Sequence, residues 1–185
     1  MFIQTESTPN PATLKFIPGE AVMPAGTADF TSAEAAAASP LATRIFAVEG
    51  VTGVFLGSDF VTVTKSAEAG WEHLKPAILG AVMDHYQSGA PVIEGAAQSG
   101  HKAHAAEDGA IVRQITELLD TRVRPAVAQD GGDITFHGFD RGVVYLHMKG
   151  ACAGCPSSTL TLKMGIENLL RHYIPEVTEV RPVTV

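Results

Sequence analysis

The chain is poor in cysteine: its 185 residues include only Cys152 and Cys155. Two thiols are too few for a disulfide scaffold, and in a reducing compartment a C-x-x-C pair more often binds a metal or does redox chemistry. No apolar run reaches the roughly eighteen residues that a membrane span needs, so we expect no membrane partner. The formal net charge of −7 argues against nucleic acid as a partner, because phosphates demand a basic surface.

The N-terminus is not typical of a targeting segment. Residues 1–19 lack the basic and apolar regions of a secretory signal, and they lack the Arg-rich pattern of a transit peptide. We therefore expect a cytoplasmic protein. The alternative is the mitochondrial matrix, if the chain is a processed organellar form.

A stretch rich in Gly, Ala and Ser divides the chain. Residues 88–108 have no periodicity and predict a flexible linker between a domain of residues 1–87 and a domain of residues 109–185. In the first domain we predict the order strand, strand, helix, hairpin, helix, with Ser39 capping the first helix and Pro40 starting it. In the second domain we predict the order α-β-β-α-β. The fold class is therefore α+β, with two small mixed domains.

Apolar residues at helical spacing predict the two helices of the second domain. The inward positions predicted for its first helix are Ile111, Ile115, Leu118, Val123 and Val127. Most of the apolar positions of its second helix are also predicted to face inward: Leu160, Met164, Ile166, Leu169 and Leu170. The D-G-G-D stretch at residues 130–133 is expected to stop the first helix, because glycine supplies the positive φ of a helix end.

The C-x-x-C pair lies between a predicted strand and a predicted helix that starts at Pro156. Backbone N–H groups at a helix N-terminus favour the thiolate, so this position predicts a lowered thiol pKa. Gly150 and Gly154 let the loop curl until both sulfurs, of Cys152 and Cys155, face one point. Thiolate serves both metal binding and redox chemistry, so this feature alone does not decide between them.

Residue chemistry leaves several kinds of site open. A thioredoxin-like couple would need a βαβ unit ahead of the motif, where a hairpin is predicted. A zinc site needs four ligands; the nearest further candidates, His137 and His147, lie on predicted strands, and His101 and His104 lie in the linker. An iron–sulfur cubane needs four thiolates, and one chain supplies two. A second protomer would then supply the others, around a twofold axis.

Residues 123–180 resemble the C-terminal domain of NifU-like (Nfu) proteins. The shared features are R-P, then D-G-G-D, a hairpin, and GACAGCPSS followed by a helix. The first domain is similar to the Nfu N-terminal domain in TPNPATLKF, in SPLATRIFAVEGVTGVFLGSDFVTVTK and in the helix that contains Trp71. The resemblance implies an iron–sulfur cluster carrier or scaffold rather than an enzyme.

The family's ligand positions match Cys152 and Cys155. The resemblance implies a [4Fe–4S] cluster shared by two protomers, with [2Fe–2S] as the alternative. It also implies a homodimer when loaded, upstream assembly proteins as donors and apo iron–sulfur proteins as recipients. The competing functions are a thiol–disulfide oxidoreductase using the same pair and a zinc-stabilised interaction module. The first domain is expected to recognise partner proteins.

Neighbouring positions have less definite roles. The stretch at residues 130–133 is predicted to form a helix end rather than to touch the cluster. Thr159, Leu160 and Met164 lie one turn beyond the ligands, where they either cover the cluster, pack at a dimer contact or belong to the core.

Overall fold

The structure is a computed structural model that describes residues 1–95, 109–154 and 156–183. The chain divides into two compact units, Met1–Ser99 and Gly100–Val185. Both units combine strands with helices, so the predicted α+β class is confirmed. The exact domain boundaries stay a prediction.

The first unit is built on a five-stranded antiparallel sheet of order β1-β2-β5-β4-β3. The strands are β1 (Gln4–Ser7), β2 (Thr13–Ile17), β3 (Ala28–Phe30), β4 (Val51–Leu56) and β5 (Val61–Lys65). The predicted hairpin is β4–β5, paired from Val51 opposite Lys65 to Leu56 opposite Val61. Three strands, not two, precede the first α-helix. The prediction missed one because β3 is only three residues long, too short for a period to show.

Two helices, α1 (Pro40–Phe46) and α2 (Trp71–Ser88), complete the first unit, together with a 3₁₀ turn at Ala35–Ala38. The predicted cap is present: Ser39 Oγ accepts a hydrogen bond from Ala42 N at 3.1 Å. The helices and sheet share one core, which includes these fully buried side chains: Phe16, Leu41, Ile45, Leu56 and Ile78.

The start of the predicted linker packs on the first unit. Ser39 Oγ donates to Val92 O at 2.5 Å, and Glu94 N donates to Ala38 O at 2.7 Å. Val92 and Ile93 also pack against the core. Residues 92–94 are therefore part of this unit's packing. Residues 96–108, with His101 and His104, lie outside the described part of the chain.

The second unit has a three-stranded sheet of order β6-β7-β8. The strands are β6 (Gly132–Asp140), β7 (Val143–Gly150) and β8 (Glu179–Val183). Strands β6 and β7 form an antiparallel hairpin, and β8 runs parallel to β7. The chain crosses from β7 to β8 through α5 (Pro156–Tyr173). The loop before α5 carries the cysteines, so this crossover positions the candidate site.

The helix ahead of β6 is interrupted. It consists of α3 (Gly109–Leu118), a π-helical turn at Leu119–Val123, and α4 (Arg124–Gln129). Pro125 has no N–H to donate to the preceding turn, which favours such a break. The wider turn moves the buried position from the predicted Leu118, which is half-buried, to Leu119. Ile115, Val123 and Val127 are buried as predicted.

Helix α5 differs from its prediction at two positions. Ile166 and Leu170 are buried and Leu169 is half-buried, as expected. Leu160 and Met164 are instead 58% and 57% exposed. Their expected inward placement is wrong, because the apolar spacing of α5 includes a second side that does not face the core of this chain.

Candidate metal centre

Cys152 lies in a tight loop between β7 and α5. Gly150 and Gly154 both adopt positive φ, +62° and +79°, a region that side chains disfavour. Cys152 N donates to Lys149 O at 3.3 Å, and Ala153 N donates to Gly150 O at 3.1 Å. The two glycines thus bend the loop at Cys152, as the sequence predicts. Cys155, the second predicted ligand, lies outside the described residues.

The thiol of Cys152 is free and only 5% of the residue is exposed. Burial raises the pKa of Cys152 to about 12, and the carboxylates of Asp130 and Asp133 add to the shift. The predicted lowering of the thiol pKa is therefore wrong for Cys152. That prediction placed the thiol at the helix N-terminus, but Cys152 precedes Pro156 by four residues and lies against the core.

The D-G-G-D stretch both ends α4 and touches the cysteine loop. Gly131 has a φ of +81°, as a helix end requires. Gly132 lies so close to Cys152 that a Cβ atom there would be 2.4 Å from Cys152 Sγ. The predicted helix end is present, and the contact with the candidate ligand is an additional feature that the prediction missed. A second glycine that the helix end did not need was the signal available in the sequence.

A half-buried ion pair lies beside this contact. Arg124 Nε donates to Asp133 Oδ1 at 2.9 Å, and Arg124 Nη2 donates to Asp133 Oδ2 at 3.0 Å. Asp133 is only 4% exposed and also accepts from Ile134 N at 2.8 Å. The fork geometry raises the pKa of Arg124, chiefly through its hydrogen bonds to Asp133. Sequence reasoning missed this pair, because only the presence of both residues near the motif pointed to it.

The first turn of α5 is tied to the same loop. Thr159 Oγ1 donates to Cys152 O at 3.2 Å. Thr159 therefore supports the loop, one turn beyond the cysteines. Leu160 and Met164, the two neighbours grouped with it in the prediction, are exposed apolar side chains, so a role in the core of this chain is excluded for them.

The candidate histidine ligands remain on the strands. His137 and His147 lie on β6 and β7, and burial, with Lys149 and His137 nearby, lowers the pKa of His147. Within residues 1–95, 109–154 and 156–183, no three His, Cys, Asp or Glu side chains are grouped as a metal site requires. The described residues thus offer Cys152 as a ligand and do not assemble a complete site around it.

Comparison with known proteins places the sequence in a family. The sequence model described as "Scaffold protein Nfu/NifU N terminal" matches residues 3–89, and that of the NifU-like domain matches residues 115–181. The chain is 51% identical over 184 residues to the mitochondrial NFU1 iron-sulfur cluster scaffold homolog of Homo sapiens, covering 99% of this chain and 72% of that protein. The chain belongs to the Nfu/NifU scaffold protein family.

The chain is also similar to other proteins with NifU-like names. The chain is 55% identical over 181 residues to the mitochondrial NifU-like protein 4 of Arabidopsis thaliana, covering 96% of this chain. It spans 64% of the length of that plant protein. A solution NMR structure of a NifU-like protein from Saccharomyces cerevisiae is 27% identical, with a TM-score of 0.46, covering 50% of this chain and 84% of that one.

Two further statements apply to this Nfu chain, one from its family and one from its helices. Its family is one of scaffold proteins rather than enzymes. In the part of the chain that the structure describes, no helix is both long and apolar enough to cross a lipid bilayer.

Proposed function

We propose that this Nfu chain carries an iron–sulfur cluster as cargo, held by the thiolates of Cys152 and Cys155, and passes it to apo-proteins. The observation that supports this most directly is the loop itself. Two left-handed glycines bend the chain around Cys152, and the loop is packed on one side against Gly132. The name of the human relative, an iron-sulfur cluster scaffold homolog, supports the same cargo.

The proposed cargo is a [4Fe–4S] cluster shared by two protomers. A cubane takes four thiolates, and the sequence contains two cysteines. Two copies of the loop around a twofold axis supply the full set. The exposed pair Leu160 and Met164, on the helix that leaves the loop, supports a contact between protomers at this place.

A cluster shared in this way is suited to transfer. Each chain contributes only two bonds, and thiols of an acceptor replace them one after another at an exposed edge. Upstream assembly proteins load the cluster, and apo iron–sulfur proteins receive it. No bond of a small substrate is made or broken, so the protein acts as a carrier and not as an enzyme.

The oxidoreductase alternative gains no support from the site. A redox thiol attacks as a preformed thiolate, whereas burial holds the pKa of Cys152 at about 12. A metal instead displaces the proton as it binds, so a protonated thiol in the free protein is compatible with a ligand role.

The compartment is inferred from the relatives. The plant and human proteins both carry the word mitochondrial in their names. These names support the mitochondrial matrix over the predicted cytoplasm. We therefore propose that this chain belongs with the mitochondrial cluster carriers.

Anaerobic reconstitution with iron and sulfide tests the proposal, with iron, sulfide and native mass measured on one sample. We expect about two irons and two sulfides per chain in a dimer, with a Mössbauer spectrum of a cubane. Cys152→Ser and Cys155→Ser should each lose the cluster. About one iron per chain in a dimer would replace the cubane by a bridging [2Fe–2S]. A colourless monomer with both thiols free would overturn the carrier function.

A further inference from the structure

The closest packing around the candidate ligand comes from outside the C-x-x-C motif. Gly132 opens strand β6 and pairs with Gly150 on β7. A Cβ atom at Gly132 would lie 2.4 Å from Cys152 Sγ and 2.9 Å from both Cys152 N and Lys149 O. Two of these three atoms belong to the backbone, which cannot swing aside as a side chain does. Any side chain at this position therefore has to displace the loop.

Backbone hydrogen bonds hold the loop against this surface. Ala151 N donates to Gly131 O at 3.2 Å, and Cys152 N donates to Lys149 O at 3.3 Å. We call the backbone surface of Gly131, Gly132 and Lys149 the Cys152 seat. Because Gly132 has no side chain, the Cys152 sulfur lies directly against the main chain of the Cys152 seat.

The Arg124–Asp133 ion pair described above supports the Cys152 seat. Asp133 follows Gly132 in β6, and its carboxylate is held by both arms of the Arg124 fork. Arg124 also binds Asp120 through Nη1 at 3.1 Å, one turn earlier in the helix. The pair therefore joins α4 to the first residues of β6, which sets where Gly132 stands relative to Cys152.

The geometry points to Gly132 as the residue that sets the position of the Cys152 sulfur for cluster binding. Arg124 is a positioning residue that acts on the same sulfur through Asp133 and Gly132. The claim that the positioned sulfur serves as a cluster ligand rests on the proposed function. The contact itself is a property of the cluster-free chain, so it is tested independently of the cargo.

The first test is the rate at which iodoacetamide alkylates Cys152 in the cluster-free protein, read by peptide mass spectrometry. Gly132→Ala should raise this rate about tenfold or more, because overpacking a close contact shifts local opening by about that factor. Gly138→Ala is the matched control: it lies in the same strand, and a Cβ there meets nothing within 4 Å. Its rate should equal that of the wild type.

General destabilisation is separated from a local effect by Ile174→Val. Ile174 is buried just after the end of α5, so this variant weakens the core without a change in the Cys152 seat. Its alkylation rate should stay near the wild-type value, while Gly132→Ala rises. If Gly132→Ala does not fold by circular dichroism, Arg124→Gln and Arg124→Lys replace it. Gln should raise the rate more than Lys, because Lys keeps the charge and loses only the fork.

Equal alkylation rates in Gly132→Ala and wild type, or in both Arg124 variants and wild type, overturn the inference. Reconstituted Gly132→Ala should also lose its cluster to a chelator faster than Gly138→Ala, and equal loss overturns the ligand-positioning role. A wild-type protein that takes up no cluster refutes the proposed function instead, while the alkylation contrast still decides whether the seat controls Cys152.

Discussion

The exposed pair on α5 leads to a quantitative prediction about the dimer. Complete burial of a Leu or Met side chain is worth about 2 kcal/mol. Leu160 and Met164 are 58% and 57% exposed in the single chain, so slightly more than half of that remains to be gained, about 1 kcal/mol for each. A twofold interface contains each side chain twice. The four together are worth about 4 kcal/mol, which corresponds to about a thousandfold in the dissociation constant.

The perturbation is the double change Leu160→Gln and Met164→Gln. Glutamine keeps the length and helix propensity of these residues but loses the apolar surface. Sedimentation equilibrium of the cluster-loaded protein under anaerobic conditions measures the dimer dissociation constant. The double variant should weaken the dimer by up to about a thousandfold. Tyr173→Gln is the matched control, since Tyr173 is 49% exposed at the other end of the same helix, and it should leave the constant unchanged.

Two outcomes would refute this reasoning. An unchanged dissociation constant in the double variant would show that this side of α5 does not meet a partner protomer. A fall of more than about 2 kcal/mol in the unfolding free energy of the cluster-free chain would show that the two residues belong to its own core, because exposed positions rarely change stability by more than about 0.5 kcal/mol.

Three further predictions concern the first unit. Ile78→Ala, in the buried face of α2, should lower its unfolding free energy in urea by about 2–5 kcal/mol; a loss under about 1 kcal/mol would contradict the packing. Ser39→Ala should cost about 1 kcal/mol and speed hydrogen exchange at Glu94 N–H, since the Ser39 hydroxyl caps α1 and holds Val92 O; unchanged exchange would count against that tie. Burial, and secondarily Arg44, lowers the pKa of His85 in the folded chain. The unfolded chain therefore binds the His85 proton more tightly than the folded chain does, and the free energy of unfolding should fall as the pH drops below about 6.5. His85→Phe should reduce that dependence in urea titrations at pH 7.5 and 5.5, and identical slopes in both proteins would contradict it.

Local signals in the sequence predicted several elements well. Ser39 followed by Pro40 is a helix start that depends only on neighbouring residues, and α1 begins there. The glycines around the cysteines predicted a curled loop for a similar reason, because positive φ is a property of single residues. Longer-range features were not accessible in this way. The contact of Gly132 with Cys152 joins residues twenty positions apart. The second glycine of D-G-G-D signals close packing there, but it does not indicate which residue packs against it.

The pKa of the Cys152 thiol shows that packing can outweigh the effect of an adjacent helix N-terminus. Nearness to a helix N-terminus predicted a lowered pKa. The fold buries Cys152 against the core and places Asp130 and Asp133 nearby, and these effects raise the pKa instead. Burial is decided by the whole second unit, so a rule based on the adjacent helix could not have given the right sign.

Helix α5 presents a related problem, since apolar periodicity reports burial without saying which chain provides it. At about 100° per residue, Leu162, Ile166, Leu169 and Leu170 share one arc of the helix, and these residues do pack in the core. Leu160 and Met164 fall on a separate arc. A prediction from one apolar stripe assigns both arcs to the same core. A helix with two apolar arcs can bury each arc against a different surface. In α5 the second arc begins one turn after a loop that holds half of the thiolates a cubane requires. The same helix thus serves the fold with one side and, in our proposal, the shared cluster with the other.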